Sequence, residues 1–310
     1  MILRSLGSPT FKVAGYFQVA LVLGFSLYQP LSHLHVAYVR WPDAADDFHA
    51  ATAFALFLLG IVVAFNVASL STPKSYFETG LGRYSLGRQL IRVVLVSSLC
   101  SWVAILLGQL PTIVRGLIDA PTLILPYLLS VLSSLALLCT AGAVFATLGF
   151  VLRSFHPLIA ALVAVLVAYV VVAISLNTAA LWAVAPLSQD TIFSAFNLRN
   201  GVIALLVGAV LAVVLVAVVR MVIDKRAGMP PLALGASTLG SVLVILALAG
   251  VVQSLLGPAA LANNGVCRTG KSGIEVCVDR ADEQGLEQAV RDADAMAELS
   301  FAPGGPRALR

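Results

Sequence analysis

Long apolar segments alternate with shorter polar ones along most of the chain. A helix needs about 20 predominantly apolar residues to cross a bilayer. Seven segments meet this requirement, at residues 13–31, 50–70, 92–110, 123–151, 157–177, 201–222 and 234–257. The fourth contains Pro126, which predicts either a tilted helix or a short interfacial helix before the span. The pattern predicts an all-α polytopic membrane protein with about seven transmembrane helices.

The composition supports this interpretation. Of the 310 residues, 60% are hydrophobic and only 11% are charged, whereas about 25% are charged in ordinary soluble domains. A water-soluble fold of this length has too little interior to hide so much apolar surface. The N-terminus resembles a signal peptide, but no small-residue cleavage site follows its apolar run, so we expect an uncleaved first span.

The distribution of Lys and Arg between the segments predicts the orientation. If the N-terminus is cytoplasmic, ten cations fall on the inside and three, Arg40, Arg115 and Arg199, lie in the outside loops between spans. Cytoplasmic loops carry an excess of Lys and Arg. The bias therefore predicts a cytoplasmic N-terminus and, with seven spans, an extracytoplasmic C-terminal tail.

The spans contain few polar side chains at depth, chiefly Gln18, Asn66 and Gln253. Gln18 and Asn66 are candidates for lining a translocation path, although helix packing explains Asn66 and the small residues more simply. No Asp, Glu, Lys or Arg lies in the middle of a span. Transporters driven by protons or ions usually need such groups, so their absence favours passive conduction or an external source of energy.

Two outside loops contain residues that could form a gate or bind a metal. In the loop at 178–200, Trp182, Phe193 and Phe196 predict either an interfacial aromatic belt or a pair of short helices forming an outer gate. The first outside loop carries His33, His35 and His49 with Asp43, Asp46 and Asp47. Histidine and aspartate side chains can bind zinc or copper, but their spacing here matches no recognised ligand pattern. We expect a solvated acidic loop without a metal.

The tail at 263–310 is polar and contains two cysteines. Residues 266–268 and 274–278 predict two short strands around a turn-rich segment, with Cys267 and Cys277 facing each other across the hairpin. An oxidising compartment would allow a disulfide between them. Residues 281–299 predict an amphipathic helix packed on the hairpin. Gly265 to Ser272 matches the P-loop pattern, but a β-type run follows it instead of the required helix, so we expect no nucleotide site there.

The longest polar interval between the apolar segments is Ser71 to Arg92, and it contributes to a family resemblance. It contains Glu78, a Gly-rich stretch, and Ser85-Leu86-Gly87-Arg88 leading into the third span. With six spans from a cytoplasmic N-terminus and the outer loop 178–200 between spans five and six, the chain resembles permease subunits of type-2 ABC exporters. Tyr84 replaces a Pro that is frequent in that family. The resemblance covers residues 1–225, the six-span permease core.

The remaining residues form a seventh span, 226–262, and the tail, 263–310. The run from Cys267 to Val278, followed by an acidic helix, resembles tails of some actinobacterial ABC-type permeases. That resemblance implies a multi-pass protein of a bacterial plasma membrane.

The family resemblance implies that two permeases, identical or paralogous, surround a path through the membrane. ATP and Mg²⁺ would bind to separate ATPase subunits, so this chain would not itself be an enzyme and would hold no cofactor, metal or nucleic acid. The interval between spans two and three would bind the ATPase subunit. The coupling residues implied are Lys74, Tyr76, Phe77, Glu78, Leu81, Arg83, Tyr84 and Arg88.

Other functions remain open on the sequence. The coupling interval also fits an ordinary interfacial helix whose cations follow the inside-charge bias. The alternative function is a non-transporting membrane sensor or immunity protein whose tail binds a ligand or partner. An ATP-independent transporter is a further alternative, which the lack of buried charges disfavours.

Overall fold

A computed structural model describes residues 9–32, 41–71, 86–119, 124–177, 187, 198–225, 231–256, 265–279 and 283–301. The described part is about 90% helical. Its helices are α1 (Pro9–Ser32), α2 (Trp41–Leu70), α3 (Leu86–Gly108), α4 (Leu110–Asp119), α5 (Ile124–Val151), α6 (Pro157–Asn177), α7 (Leu198–Lys225), α8 (Pro231–Leu256) and α9 (Glu283–Phe301). Two strands, β1 (Gly265–Thr269) and β2 (Glu275–Asp279), precede α9.

Five of the described helices are long and apolar enough to cross a membrane. Their apolar parts are Ala44–Leu70, Gln89–Gly108, Tyr127–Val151, Pro157–Ser175 and Gly201–Met221. This confirms an α-helical membrane protein. Helices α1 and α8 lie at the first and seventh predicted segments, and the count of seven spans stays a prediction.

The second helix begins earlier than the hydropathy pattern predicts. It starts at Trp41, not near residue 50, so Asp46, Asp47 and His49 lie on α2. The expectation of a solvated acidic loop is therefore wrong for residues 41–49. Ala44, Ala45 and Phe48 are buried, because this first part of α2 packs against other helices. That burial depends on tertiary contacts, which the local balance of polar and apolar residues does not report.

The connection between the third and fourth segments contains a helix that the sequence analysis did not predict. Helix α4 follows α3 almost without interruption, since the amide of Gln109 donates to Ile105 O at 2.9 Å and the amide of Ile113 donates to Gln109 O at 3.0 Å. Helix α5 runs unbroken from Ile124, with Pro126 in its first turn. A proline is tolerated there because the first amides of a helix have no intrahelical partner.

Helices α2 and α5 form the centre of the bundle. Helix α2 packs against α1, α3, α5 and α6, and α5 also packs against α3, α7 and α8. Glycine permits a close approach of α2 and α5: a Cβ added to Gly149 of α5 would lie 2.5 Å from Ala64 O of α2. Small residues let helix backbones approach closely in membranes, so this crossing is tight because residue 149 has no side chain.

Contacts between the helices show which of them run in the same direction. His49 meets Ser130 and, further along both helices, Ala64 approaches Gly149, so α2 and α5 are parallel. By contrast, α3 and α5 are antiparallel, because Ser98 Oγ donates to Leu138 O whereas the later Trp102 donates to the earlier Val131 O. Opposite directions for α3 and α5 are the arrangement expected of consecutive spans.

The tail folds as the sequence predicts. Strands β1 and β2 pair antiparallel, with Cys267 directly opposite Cys277, and α9 packs on both strands. Directly opposed residues in an antiparallel pair have Cα atoms about 4.5–5.5 Å apart, within the range that a disulfide requires. The register thus confirms the hairpin, and the disulfide itself stays a prediction.

Candidate functional site

One cluster of buried polar groups joins α1 to α3. Gln18 Nε2 donates to Ser101 Oγ at 2.6 Å, and Ser26 Oγ donates to Ile105 O at 3.0 Å. Just beyond α3, Gln109 Nε2 donates to Ser26 O at 3.2 Å. Gln18 and Ser101 are almost completely buried. Hydrogen bonds between membrane helices hold the helices together, so the amide of Gln18, a predicted path residue, links α1 to α3.

A second cluster lies between α2 and α5. His49 Nε2 is hydrogen-bonded to Ser130 Oγ at 2.5 Å, and His49 is only 2% exposed. Its Nδ1 has no hydrogen-bond partner among the described residues. Beside it, the rings of Phe48 and Tyr127 pack edge to face with centroids 6.3 Å apart. An ionisable side chain buried within a span is a candidate functional group, although the hydropathy pattern predicts a solvated loop at this histidine.

His49 also belongs to the group of side chains in the first outside loop that could bind zinc or copper by residue type. His33 and His35 lie outside the described residues. Within the described ranges, no group of three or more His, Cys, Asp or Glu side chains is placed to hold a metal ion. His49 instead bonds to a serine hydroxyl, and this contact supports the packing of α2 on α5.

Asn66, the other predicted path residue, lies near the end of α2. Its Nδ2 donates to Val62 O of the same helix at 2.6 Å, and the residue is 4% exposed. The side-chain amide therefore has a hydrogen-bond partner on its own helix. Polar groups buried in a membrane generally need such a partner within the protein. A role for Gln18 and Asn66 in lining a path stays a prediction.

The predicted coupling interval lies between α2 and α3 in the sequence, and the end of α2 and the start of α3 lie at one end of the bundle. Ser71 closes α2, its amide donating to Val67 O at 3.0 Å, and α3 begins at Leu86. Arg88 falls in the first turn of α3. The other predicted coupling residues, Lys74, Tyr76, Phe77, Glu78, Leu81, Arg83 and Tyr84, lie outside the described residues.

The turn between α5 and α6 lies at this same end, because the end of α5 packs beside the end of α2. There, the guanidinium carbon of Arg153 sits 4.2 Å from the ring centroid of Phe150. Arg92, near the start of α3, is exposed. The opposite end of α2 carries Asp46 and Asp47. Among the described residues, the end of the bundle where α2 ends and α3 begins therefore carries arginines, whereas the first part of α2 carries carboxylates.

The predicted outer gate cannot be placed in the same way. Trp182, Phe193 and Phe196 lie outside the described residues. Between α6 and α7 the structure describes Leu187, which is 2% exposed. The gate stays a prediction.

In the tail, the segment that matches the P-loop pattern forms a strand and a turn. The backbone amides of Lys271 and Ser272 each donate to the Asp294 carboxylate at 2.9 Å, and Ser272 Oγ donates to Asp294 Oδ1 at 2.5 Å. These hydrogen bonds, that of the Ser272 hydroxyl first, hold the pKa of Asp294 below its ordinary value. The turn amides that would face a phosphate in a P-loop thus bind a carboxylate of α9, and strand β2 follows instead of a helix.

Sequence reasoning missed the partners in these clusters, namely Ser101, Gln109, Ser130 and Asp294. Small polar residues inside the spans were visible in the sequence, but their pairing depends on how each helix is rotated. Asp294 carried no more signal than the other carboxylates of α9.

Comparison with known proteins found no matching protein family, no matching curated protein and no matching solved structure.

Proposed function

We propose that this protein is the membrane-spanning permease subunit of an ATP-driven exporter in a bacterial plasma membrane. ATP binding and hydrolysis belong to a separate ATPase subunit, and a second permease copy or paralogue completes the path. The observation that carries the proposal is the basic end of the bundle. The end of α2 and the start of α3 lie there, beside the α5–α6 turn.

Two arginines at this end support ATPase docking there. Arg92 is exposed, and Arg153 is held over the ring of Phe150. Cations at this end also agree with its being cytoplasmic. A partner with acidic or carbonyl groups would therefore meet positive charge beside the end of α2 and the start of α3.

The buried groups favour an external source of energy. A proton-driven transporter needs a relay of ionisable groups through the membrane. His49 is the candidate for such a relay, but its Nε2 bonds to Ser130 and its Nδ1 to none of the described residues. A relay through His49 therefore lacks its next member in the described structure, which supports coupling to a separate ATPase.

The docking itself is assigned to the residues between α2 and α3. The sequence predicted a docking helix over residues 74–90, but α3 begins at Leu86 and Leu90 is buried in the bundle. The docking helix would therefore be confined to the residues before α3, with Tyr76, Phe77, Leu81 and Tyr84 as apolar anchors in a groove of the ATPase. Burying one such aromatic side chain stabilises a contact by about 1.5–3 kcal/mol. Two anchors would therefore contribute about 3–6 kcal/mol of favourable burial, from which the cost of association must be subtracted.

The test replaces two of these anchors together. The double variant Phe77→Asp and Tyr84→Asp should insert in the membrane normally but lose the ATPase when the chain is purified in mild detergent. A matched control is the double variant Ile274→Asp and Met296→Asp, which changes two exposed apolar residues of the tail. It should retain the ATPase. If the ATPase co-purifies equally with both double variants, the interval is not the docking element.

A second candidate function rests on the tail. The hairpin and α9 pack together, and Asp294 fixes the turn, so a folded unit follows the last predicted span. A folded unit of this kind supports a membrane sensor or immunity protein whose tail binds a ligand or partner. Removing residues 263–310 separates the two functions. An exporter subunit should keep its ATPase, whereas a sensor should lose its ligand.

A further inference from the structure

Helix α4 has an apolar face that is turned away from the rest of the protein. Its exposed large side chains are Leu110, Val114, Leu117 and Ile118. Their spacing of i, i+4, i+7 and i+8 places them on one face of the helix. Thr112 and Gly116 lie on the opposite face and are buried, and α4 packs against α2 and α3.

This arrangement is the reverse of that in a soluble protein. An amphipathic helix on a soluble core turns its apolar face inward and its polar face to water. In α4 the buried face carries threonine and glycine, whereas Ile118 on the other face is 76% exposed. Leaving such a face in water costs free energy roughly in proportion to its apolar area. An apolar medium around α4 would remove that cost.

The length of α3 places α4 at the edge of the membrane. The apolar part of α3, Gln89–Gly108, has 20 residues, which at 1.5 Å per residue cover about 30 Å. The hydrocarbon core of a bilayer is also about 30 Å thick. Helix α4 begins directly after this part, at Leu110, and its 10 residues are too few to cross a membrane themselves. It therefore begins where the hydrocarbon core ends.

The exposed face of α4 continues a stripe along α3. Large exposed side chains recur at every fourth residue of α3, namely Leu95, Leu99, Val103 and Leu107, and Leu110 and Val114 extend this series into α4. The buried side of α3 includes small residues, namely Ser97, Ser98, Ser101, Ala104 and Gly108. Small residues are typical of contacts between membrane helices, so the stripe of large residues is the side of α3 that faces lipid. The exposed face of α4 is continuous with this lipid-facing surface.

We propose that α4 is an interfacial helix that binds the phospholipid bilayer, with its exposed face buried among the acyl chains just below the headgroups of one leaflet. That leaflet lies at the end of the bundle where α2 begins, because α3 starts beside the end of α2 and runs in the opposite direction. Helices of this kind insert about 5–10 Å into the boundary between headgroups and acyl chains. The proposal concerns the chain in a membrane and does not depend on the exporter proposal.

Nitroxide labels measure this depth. Each label is attached to a single introduced cysteine in a chain whose 4 native cysteines are replaced by serine, and the full chain is placed in phospholipid nanodiscs. Val114→Cys and Ile118→Cys report on the face of α4, Leu99→Cys on the middle of α3, and Ile274→Cys on the tail. All four side chains are exposed, so each label replaces a group that the protein does not enclose. Collisions with oxygen, which dissolves among acyl chains, are compared with collisions with a water-soluble nickel chelate.

We expect three levels of depth. The ratio of oxygen to nickel collisions should be highest at Leu99, lowest at Ile274 and intermediate at Val114 and Ile118, with these two labels about 5–10 Å below the headgroups. A ratio on α4 equal to that at Ile274 would place the face in water, and a ratio equal to that at Leu99 would make α4 part of the span. Either result overturns the proposal. Protection of both α4 labels from both reagents also overturns it, and dipolar broadening that disappears on dilution with unlabelled chain would then assign the face to a second copy of this chain.

A second measurement uses the unmodified sequence, so that a labelled variant that fails to fold does not decide the outcome. Phospholipids with a diazirine either near the ester carbonyl or at the end of the acyl chain are photoactivated in nanodiscs, and mass spectrometry locates the attached lipid. The carbonyl-proximal diazirine should react with residues 110–118, and the terminal diazirine with α3 near Leu99. If neither lipid reacts with α4, or if only the terminal diazirine does, the proposal is overturned.

Discussion

Replacing Gly149 by alanine tests the crossing of α2 and α5. The added Cβ would lie 2.5 Å from Ala64 O and 3.1 Å from both Ala64 Cα and Val67 Cβ. Ordinary contacts of this kind begin near 3.4 Å. The two helices must therefore move apart by close to 1 Å, and the obstacle is backbone, which cannot turn aside as a flexible side chain does.

The expected cost follows from this displacement. Overpacking a close contact typically costs about 1–3 kcal/mol, and a gap of 0.5–1 Å forfeits a quarter to a half of the dispersion energy of each separated atom pair. Alanine also favours the helix over glycine by about 1 kcal/mol. The net loss in the free energy of unfolding should therefore be about 0–2 kcal/mol. In Gly24→Ala the added Cβ meets nothing within 4 Å. Only the helix-propensity gain of about 1 kcal/mol therefore applies to this variant.

The two variants are compared by unfolding in mixed micelles with increasing dodecyl sulfate, followed by tryptophan fluorescence. Gly149→Ala should be less stable than Gly24→Ala by about 1–3 kcal/mol, and Gly149→Leu should be less stable still. Equal midpoints for Gly149→Ala and Gly24→Ala would refute the close crossing. A midpoint that is insensitive to side-chain size at residue 149 would do the same.

Three further predictions concern the tail and the buried histidine. The depressed pKa of Asp294 means that its carboxylate stabilises the tail above its unfolded pKa and that this stabilisation is lost as the pH falls through the folded pKa. Hydrogen exchange of the full chain should show the turn losing protection on acidification, and Asp294→Asn should remove that pH dependence. If the proposed disulfide forms, the oxidised chain should migrate differently from the reduced chain in electrophoresis, and Cys267→Ser should abolish the difference, with free thiol then detectable at Cys277. His49→Ala leaves Ser130 without its partner and should lower the free energy of unfolding by about 1–3 kcal/mol, whereas a change below 0.5 kcal/mol would show that this contact does not hold α2 to α5.

The sequence predicted the local elements of this protein well. The described part of each predicted apolar segment lies on a helix, except that the third segment, 92–110, runs past the end of α3. The hairpin and the tail helix occur within two residues of the positions that turn residues and periodicity predict. The start of α2 was missed because residues 41–49 include three aspartates and a histidine, which lower the local hydropathy. Helix α4 was missed because Pro111 and the charged residues of this short stretch are typical of a loop.

The candidate site was much less predictable, and the bilayer is the reason. A soluble helix shows its buried face by amphipathic periodicity, whereas a membrane helix meets lipid that is as apolar as its neighbouring helices. Its sequence therefore does not report which side faces protein. Gln18 and Asn66 were identifiable as polar groups at depth, but Ser101 could not be recognised as the partner of Gln18.

Hydropathy, turn residues and charge bias are sums over neighbouring residues, so the sequence by itself determined the membrane class, the position of the helices and the tail hairpin. Tertiary structure alone decided the rotation and crossing of the helices. It placed Gly149 against Ala64 and His49 against Ser130. These features depend on atoms that are distant in the chain and meet only after packing, and a pattern along one helix does not contain that information.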